Sequence, residues 1–131
     1  MIVDTSAVVA ILKAEEGHED LARNILRQKS QMSAANYVEL MCVLSSSREP
    51  ATARRADQLL EALGIEVVPV SVEQARIAAD AYRAYGRGSG HPAGLNYGDT
   101  FAYALAVERN EPLQFTGRDF AATDVLRASS G

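Results

Sequence analysis

The stretch Met1-Ile2-Val3-Asp4-Thr5-Ser6-Ala7 decides the fold class. Ile2-Val3 is a short β-branched apolar run, which predicts a buried strand. An acid and two hydroxyl residues, the types that cap helices, follow at once, so a helix is predicted to begin there. A buried strand that leads directly into a helix is typical of α/β proteins with parallel sheets.

The same alternation of strand and helix patterns continues along the chain. Further strands are predicted at 32–33, 65–70 and 112–115. Helices are predicted from residue 5 to about 13 and over 19–29, 35–46, 52–63, 72–85 and 99–109, with a turn and short helix over 117–124. The glycine-rich segment 86–98 is predicted to be a loop. This alternation predicts a three-layer α/β/α sandwich with a central, mainly parallel sheet, and it leaves the strand order open.

Length and composition limit the class of protein. The 131 residues predict a single domain, 1–131, and 47% hydrophobic with 23% charged residues excludes a disordered chain. No apolar stretch is long enough to span a bilayer, and the start lacks the pattern of a signal peptide. The single cysteine excludes an internal disulfide. We therefore expect a cytoplasmic protein with no membrane partner.

Four acidic residues stand out, two of them soon after predicted strands, where open α/β sheets bind ligands. Asp4 follows the first strand, and Asp119 comes three residues after Thr116 at the end of the last one. Asp99 falls in the first turn of a helix, and Glu39 interrupts an apolar helix. Each acid alone also fits a structural role, as a helix cap, a dipole partner, a turn residue or part of an exposed stripe. Those alternatives stay open for the single residues.

Taken together, the four acids predict a site for divalent cations. Clustered carboxylates repel each other and stay ionised only if cations neutralise them. Oxygen ligands suit Mg²⁺ or Mn²⁺, whereas zinc normally recruits His or Cys. The chain has 17 Asp and Glu against 13 Lys and Arg, so removing four acids leaves a neutral body of 13 against 13. A metal-loaded acidic pocket binds phosphate despite a net charge of −4.

Four segments carry a resemblance to a known family. They are Met1–Ala7, the isolated Glu39, the run Leu95-Asn96-Tyr97-Gly98-Asp99-Thr100-Phe101-Ala102-Tyr103-Ala104-Leu105-Ala106, and Phe115-Thr116-Gly117-Arg118-Asp119-Phe120 with Thr123-Asp124. In order and spacing, over essentially the whole chain, they resemble PIN domains and, more narrowly, the VapC-type toxins of bacterial toxin–antitoxin pairs. The resemblance implies a ribonuclease that depends on Mg²⁺ or Mn²⁺, a homodimer, and a cognate VapB-type antitoxin that places a basic segment in or near the acidic pocket.

The resemblance also implies roles for individual residues. Asp4, Glu39, Asp99 and Asp119 match the catalytic acidic quartet, and Asp4, Asp99 and Asp119 are the expected metal ligands. The expected supporting residues are Thr5, Ser6, Asn96, Thr116 and Asp124. Independently of the resemblance, the basic residue Arg87 in the glycine-rich loop fits a contact with the RNA backbone, and a plain loop role stays open as the alternative.

Competing chemistries fit the sequence less well. A Mg²⁺-binding receiver-like signalling domain, the main alternative, needs paired acids at the first strand and a lysine late in the chain. Here Asp4 stands alone, and the two lysines are Lys13 and Lys29. A metal-free route through the RNA 2′-hydroxyl would need a histidine pair, and His18 and His91 lie outside the acidic motifs.

Two residues raise questions of packing. Cys42 is predicted to lie in the core because no His or cationic residue adjoins it in sequence. Gln114 stands in the last predicted strand where PIN domains usually have an aliphatic residue.

Overall fold

The computed structural model of the protein describes residues 1–46 and 49–128, in which strands and helices alternate as predicted. Four strands lie in that part of the chain: Ile2–Val3 (β1), Ser30–Ser33 (β2), Ile65–Val68 (β3) and Leu113–Gln114 (β4). The helices there are Thr5–Leu12 (α1), His18–Leu26 (α2), Ala34–Ser45 (α3), Ala51–Ala62 (α4), Val72–Tyr85 (α5) and Tyr97–Arg109 (α6), followed by a 3₁₀ turn at Phe120–Ala122.

All strand pairs are parallel, and the sheet order is β3-β2-β1-β4. Ile2 of β1 is in register with Gln31 of β2 on one side and with Leu113 of β4 on the other. The chain thus builds outward from β1 to β3 and then returns to add β4 on the opposite side of β1. This reversal makes the space beyond the carboxyl ends of β1 and β4 the topological switch point, where open α/β sheets bind ligands.

Helices cover both faces of the sheet, so the predicted three-layer sandwich is confirmed. Successive strand residues face opposite sides, and Val3 and Ile2 accordingly belong to two different cores. One core joins the sheet to the first four helices through Val8, Ile25, Leu40 and Leu60. The other joins it to the last two through Ala81 and Leu105.

Several predicted boundaries are wrong by a few residues, for local reasons. β3 stops at Val68 because Pro69 follows and cannot donate a ladder hydrogen bond. α6 begins at Tyr97, two residues earlier than predicted, because Asn96 caps it. β2 starts at Ser30, since residues 30–33 all pair with β3.

Two individual residues are placed differently from the simplest expectation. Cys42 is exposed on α3, so the prediction of a core position is wrong. Gln114 is buried on β4, and Asn24 Nδ2 of α2 donates to its Oε1 at 2.6 Å. A polar side chain therefore has a partner at a position where PIN domains usually have an aliphatic residue. Throughout residues 1–46 and 49–128, no helix combines the length and apolar character needed to cross a membrane.

Candidate acidic site

Asp4 lies immediately after β1 and caps α1. The Ser6 N–H donates to Asp4 Oδ2 at 3.0 Å, while Asp4 Oδ1 is buried without a hydrogen-bond partner. The side chain is 3% exposed. Burial raises the pKa of Asp4 to about 6, and the nearby charge of Glu39 adds to the increase. The capping hydrogen bond thus occupies Oδ2 of Asp4 and leaves Oδ1 available to a ligand.

Asp99 caps α6 in a reciprocal arrangement with Asn96. The Asn96 N–H donates to Asp99 Oδ2 and the Asp99 N–H to Asn96 Oδ1, both at 2.9 Å. Burial raises the pKa of Asp99 to about 7, and the charges of Asp4, Asp119 and Glu39 each add to it. The charges of the other three acids that the sequence singled out therefore all reach Asp99, and the charge of Glu39 also reaches Asp4. We call these four carboxylates the acidic site.

Glu39 of α3 rests against the backbone of α6 at Gly98. A Cβ atom on Gly98 would lie 1.7 Å from Glu39 Oε2 and 2.5 Å from its carboxyl carbon. Any larger residue would displace this carboxylate, so the glycine provides the space that Glu39 occupies. No role was predicted for Gly98. Its position directly before Asp99 is the feature of the sequence that could have indicated one.

Asn36 links the elements that carry three of the acids. It is fully buried, and its Nδ2 donates to Gly98 O of α6 at 2.9 Å and to Glu39 Oε1 at 3.2 Å. Thr5 Oγ1 of α1 donates to Asn36 O at 3.1 Å. Asn36 was not among the residues predicted to support the site, although an amide three residues before Glu39 shares a helix face with it.

The segment after β4 brings the fourth acid to the site. Thr116 N–H donates to Ser6 Oγ at 3.1 Å, which joins the carboxyl end of β4 to the start of α1. Asp119 follows at the start of the 3₁₀ turn, is exposed, and makes no capping hydrogen bond there. Its charge contributes to the raised pKa of Asp99.

The other two sequence candidates lie apart from these contacts. Asp124 Oδ1 accepts a hydrogen bond from Tyr103 Oη at 2.5 Å, and burial together with Asp124 raises the pKa of that tyrosine. Arg87 is exposed, and its backbone N–H donates to Leu95 O at 3.0 Å, which closes the glycine-rich loop. Within the described residues, neither side chain forms a hydrogen bond or ion pair with the acidic site.

The charges and the donor set of the acidic site suit a hard divalent cation. In the part of the chain that the structure describes, none of the ion pairs involves a carboxylate of the site. Within residues 1–46 and 49–128, no group of three or more His, Cys, Asp or Glu side chains is arranged so that it could hold a metal ion. Nevertheless, Asp4 Oδ1 lacks a hydrogen-bond partner, and burial together with neighbouring carboxylates raises the pKa values of Asp4 and Asp99. A divalent ion with oxygen ligands would relieve both features.

The histidines are engaged elsewhere. His18 Nδ1 lies 2.9 Å from Glu15 O. The ring of His91 packs edge-on against Tyr85 at 4.8 Å between centroids. Neither imidazole belongs to the acidic site, so the only donor atoms of its four acidic side chains are carboxylate oxygens.

Comparison with known proteins identifies the family. Residues 1–126 match the PIN domain family. The chain is 53% identical over 129 residues to the VapC ribonuclease Mb2780c of Mycobacterium bovis, covering 98% of both chains. The structure of Mycobacterium tuberculosis VapC20, described as a sarcin-ricin loop cleaving toxin, matches with a TM-score of 0.75 and 16% identity over 95% of each chain. VapBC2 from Rickettsia felis, bound to a DNA fragment from its promoter, matches with a TM-score of 0.70 and 15% identity over 96% of this chain and 94% of that one. The chain therefore belongs to the PIN domain family and, within it, to the VapC-type proteins.

Proposed function

We propose that this protein is an Mg²⁺- or Mn²⁺-dependent endoribonuclease, the toxin of a VapBC-type toxin–antitoxin pair. The observation that carries the proposal is the acidic site, in which the pKa of Asp99 is raised by burial and by the charges of the other three acids. The M. bovis relative at 53% identity is named a VapC ribonuclease, which supports RNA as the substrate. In this proposal Asp4, Glu39, Asp99 and Asp119 are the catalytic residues.

Three of these acids would hold the metal. Asp4 offers an oxygen atom that has no hydrogen-bond partner, and Asp99 and Asp119 offer carboxylates whose charges interact. When bound, Mg²⁺ or Mn²⁺ supplies positive charge that neutralises the carboxylates and stabilises the negative charge that develops on the phosphoryl group. Thr5, Ser6, Asn96 and Thr116 support the site by holding the backbone segments that carry the acids.

In this proposal Glu39 orients the attacking water and takes up its proton. Its Oε1 accepts from Asn36, and its Oε2 lies over Gly98, so the carboxylate is fixed on two sides. Water attacks phosphorus, the bond to the 3′ oxygen breaks, and the water proton passes to Glu39 while the leaving oxygen takes a proton from solvent. The products are a 5′ phosphate and a free 3′ hydroxyl.

The partners follow from the charge of the site. A VapB-type antitoxin with a basic segment would pair with carboxylates that have no cationic partner in the described residues. Arg87, exposed on the glycine-rich loop, would contact the RNA backbone, and Asp124 would hold the segment after β4 through Tyr103. We further propose that the protein acts in the cytoplasm as a homodimer, which sedimentation at several concentrations would test.

No observation favours the receiver-like alternative. The chain matches the PIN domain family over residues 1–126, and it aligns with the VapC ribonuclease of M. bovis over 98% of both chains. These matches favour a PIN domain over a receiver-like signalling domain.

The test is RNA cleavage by purified protein, with and without divalent metal. We expect cleavage that stops with chelator, returns with Mg²⁺ or Mn²⁺, and disappears in Asp99→Asn. Fragments should ligate to an adaptor that requires a 5′ phosphate. Asp80→Asn is the matched control, because Asp80 is exposed on α5 and pairs with Arg83 at 3.1 Å. Full cleavage without metal, or fragments ending only in 2′,3′-cyclic phosphate, would contradict the proposal.

A further inference from the structure

An open cavity of about 640 Å³ lies between the start of α2 and the carboxyl end of β4. Gln114, Phe115 and Thr116 line it from the sheet, and Asn24 and Arg127 line it from the sides. None of the four acids lines the cavity. It nevertheless borders the acidic site, since Thr116 N–H is bonded to Ser6 Oγ and Asp119 follows three residues later on the same segment.

The cavity contains a fixed amide donor. Gln114 is 9% exposed, and its Oε1 is occupied by Asn24 Nδ2 at 2.6 Å. Gln114 Nε2 has no hydrogen-bond acceptor within the described residues, and Gln114 lines the cavity. Because Asn24 fixes the orientation of the amide, the cavity presents a donor rather than an acceptor at this point.

The cavity also contains a flat cationic surface. The guanidinium carbon of Arg127 lies 5.2 Å from the centroid of the Phe115 ring, which is itself packed against Phe120. Phe115 is buried, whereas Arg127 is exposed. The guanidinium group thus lies over a buried ring while Arg127 keeps an exposed surface, and exposed arginines of this kind can stack on nucleobases.

We propose that this cavity holds one base of the RNA substrate, adjacent to the phosphodiester that is cut. The base stacks on Arg127 and accepts a hydrogen bond from Gln114 Nε2. Glu16 and Asp20 also line the cavity, and Asp20 Oδ1 accepts from Arg23 at 2.7 Å. The carboxylate of Glu16 disfavours a phosphate and can accept a hydrogen bond from an exocyclic amine. A neutral planar base with neighbouring acceptor and donor groups therefore fits better than the charged backbone. The proposal rests on the endoribonuclease function proposed above.

The experiment compares cleavage preferences and rates in three variants of the full chain. Arg127→Ala removes the stacking surface, and Gln114→Leu removes the donor while keeping the size of the side chain. Arg76→Ala is the control, since Arg76 is exposed on α5. Cleavage ends of a randomised RNA are sequenced, and kcat/KM is measured on a preferred RNA and on the same RNA made abasic at the selected position.

We expect wild type and Arg76→Ala to select a base at one position beside the cut and the other two variants to lose that selection. On intact RNA, Arg127→Ala and Gln114→Leu should lower kcat/KM about tenfold or more. On the abasic RNA, all four proteins should have the same kcat/KM, a convergence that a merely structural role would not produce.

Three outcomes would overturn the inference. Unchanged base selection in both variants would mean that the cavity serves another purpose, such as holding a protein segment. Equal losses on intact and abasic RNA would indicate a backbone contact or a folding defect. In both cases wild-type cleavage still stands, so the proposed function survives. If wild type cleaves no RNA at all, the proposed function and the inference fail together.

Discussion

Neutralising Asp4 should stabilise the metal-free protein while it abolishes cleavage. The pKa of Asp4 is raised from 3.8 to about 6, chiefly by burial. A shift of about two pH units corresponds to about 3 kcal/mol between the protonated and ionised forms. The side chain is 3% exposed, so solvent screening removes little of this penalty. We expect Asp4→Asn to raise the free energy of unfolding at pH 7 by about 1 to 3 kcal/mol, with the lower values reflecting relaxation of the site.

The sign of the effect fixes its pH dependence. A carboxyl with a raised pKa binds more protons in the folded state between pH 3.8 and about 6, so wild-type stability falls as pH rises through that window. Near pH 4 the carboxyl is largely protonated in the folded protein, and the advantage of Asp4→Asn should nearly vanish. Above about pH 6 the advantage should reach its full value.

The assay is urea denaturation in chelator between pH 4 and 8. Asparagine caps helices as well as aspartate does, so the variant keeps the bond from Ser6 N–H and isolates the effect of charge. Asp80→Asn is again the control and should change stability by less than about 0.5 kcal/mol. The reasoning would be refuted if Asp4→Asn were no more stable than wild type at pH 7, or if its advantage did not grow with pH.

Three further predictions concern the metal and the residues that position Glu39. Mg²⁺ should raise the Tm of wild type at pH 7 but shift that of Asp99→Asn much less, and equal shifts in thermal denaturation would argue against a metal ligand at this position. Gly98→Ala should change stability by no more than about 1 kcal/mol in either direction, since better helix propensity offsets the displaced carboxylate, yet it should lower the RNA cleavage rate at least about tenfold. Full activity in this variant would contradict the role assigned to Glu39. Asn36→Ala should lower the free energy of unfolding by about 1 to 3 kcal/mol and reduce cleavage, because it removes the hydrogen bonds to Glu39 and Gly98 O. Urea denaturation measures this change. An unchanged free energy of unfolding would show that these hydrogen bonds do not stabilise the protein.

The sequence was sufficient to predict the fold class, because each strand and helix is marked by local patterns and caps. It did not reveal the order β3-β2-β1-β4, since pairing between strands far apart in the chain leaves no periodic signal in either strand. Boundaries went wrong where one local feature outweighed the pattern, as Pro69 did at the end of β3.

The acidic site was predictable to the extent that its residues lie next to strand ends and helix starts. Asp4 and Asp99 have such positions, whereas Asn36 and Gly98 act through a contact between residues 62 apart in the sequence. The position of Cys42 was predicted wrongly because α3 is apolar on most sides. Val38 is 59% exposed on the same helix, so hydrophobicity there does not distinguish the core face from the surface.

The placement of β4 beside β1 has a consequence for when activity arises. The acidic site takes one residue from each of four separated segments, and the switch point joins Asp4 to the segment that carries Asp119, near the other end of the chain. Contacts between residues so distant in sequence form late, after intervening elements have packed. A partly folded or partly synthesised chain therefore has an incomplete set of carboxylates. We therefore expect the protein to have no cleavage activity until β4 and the segment that carries Asp119 have folded beside β1.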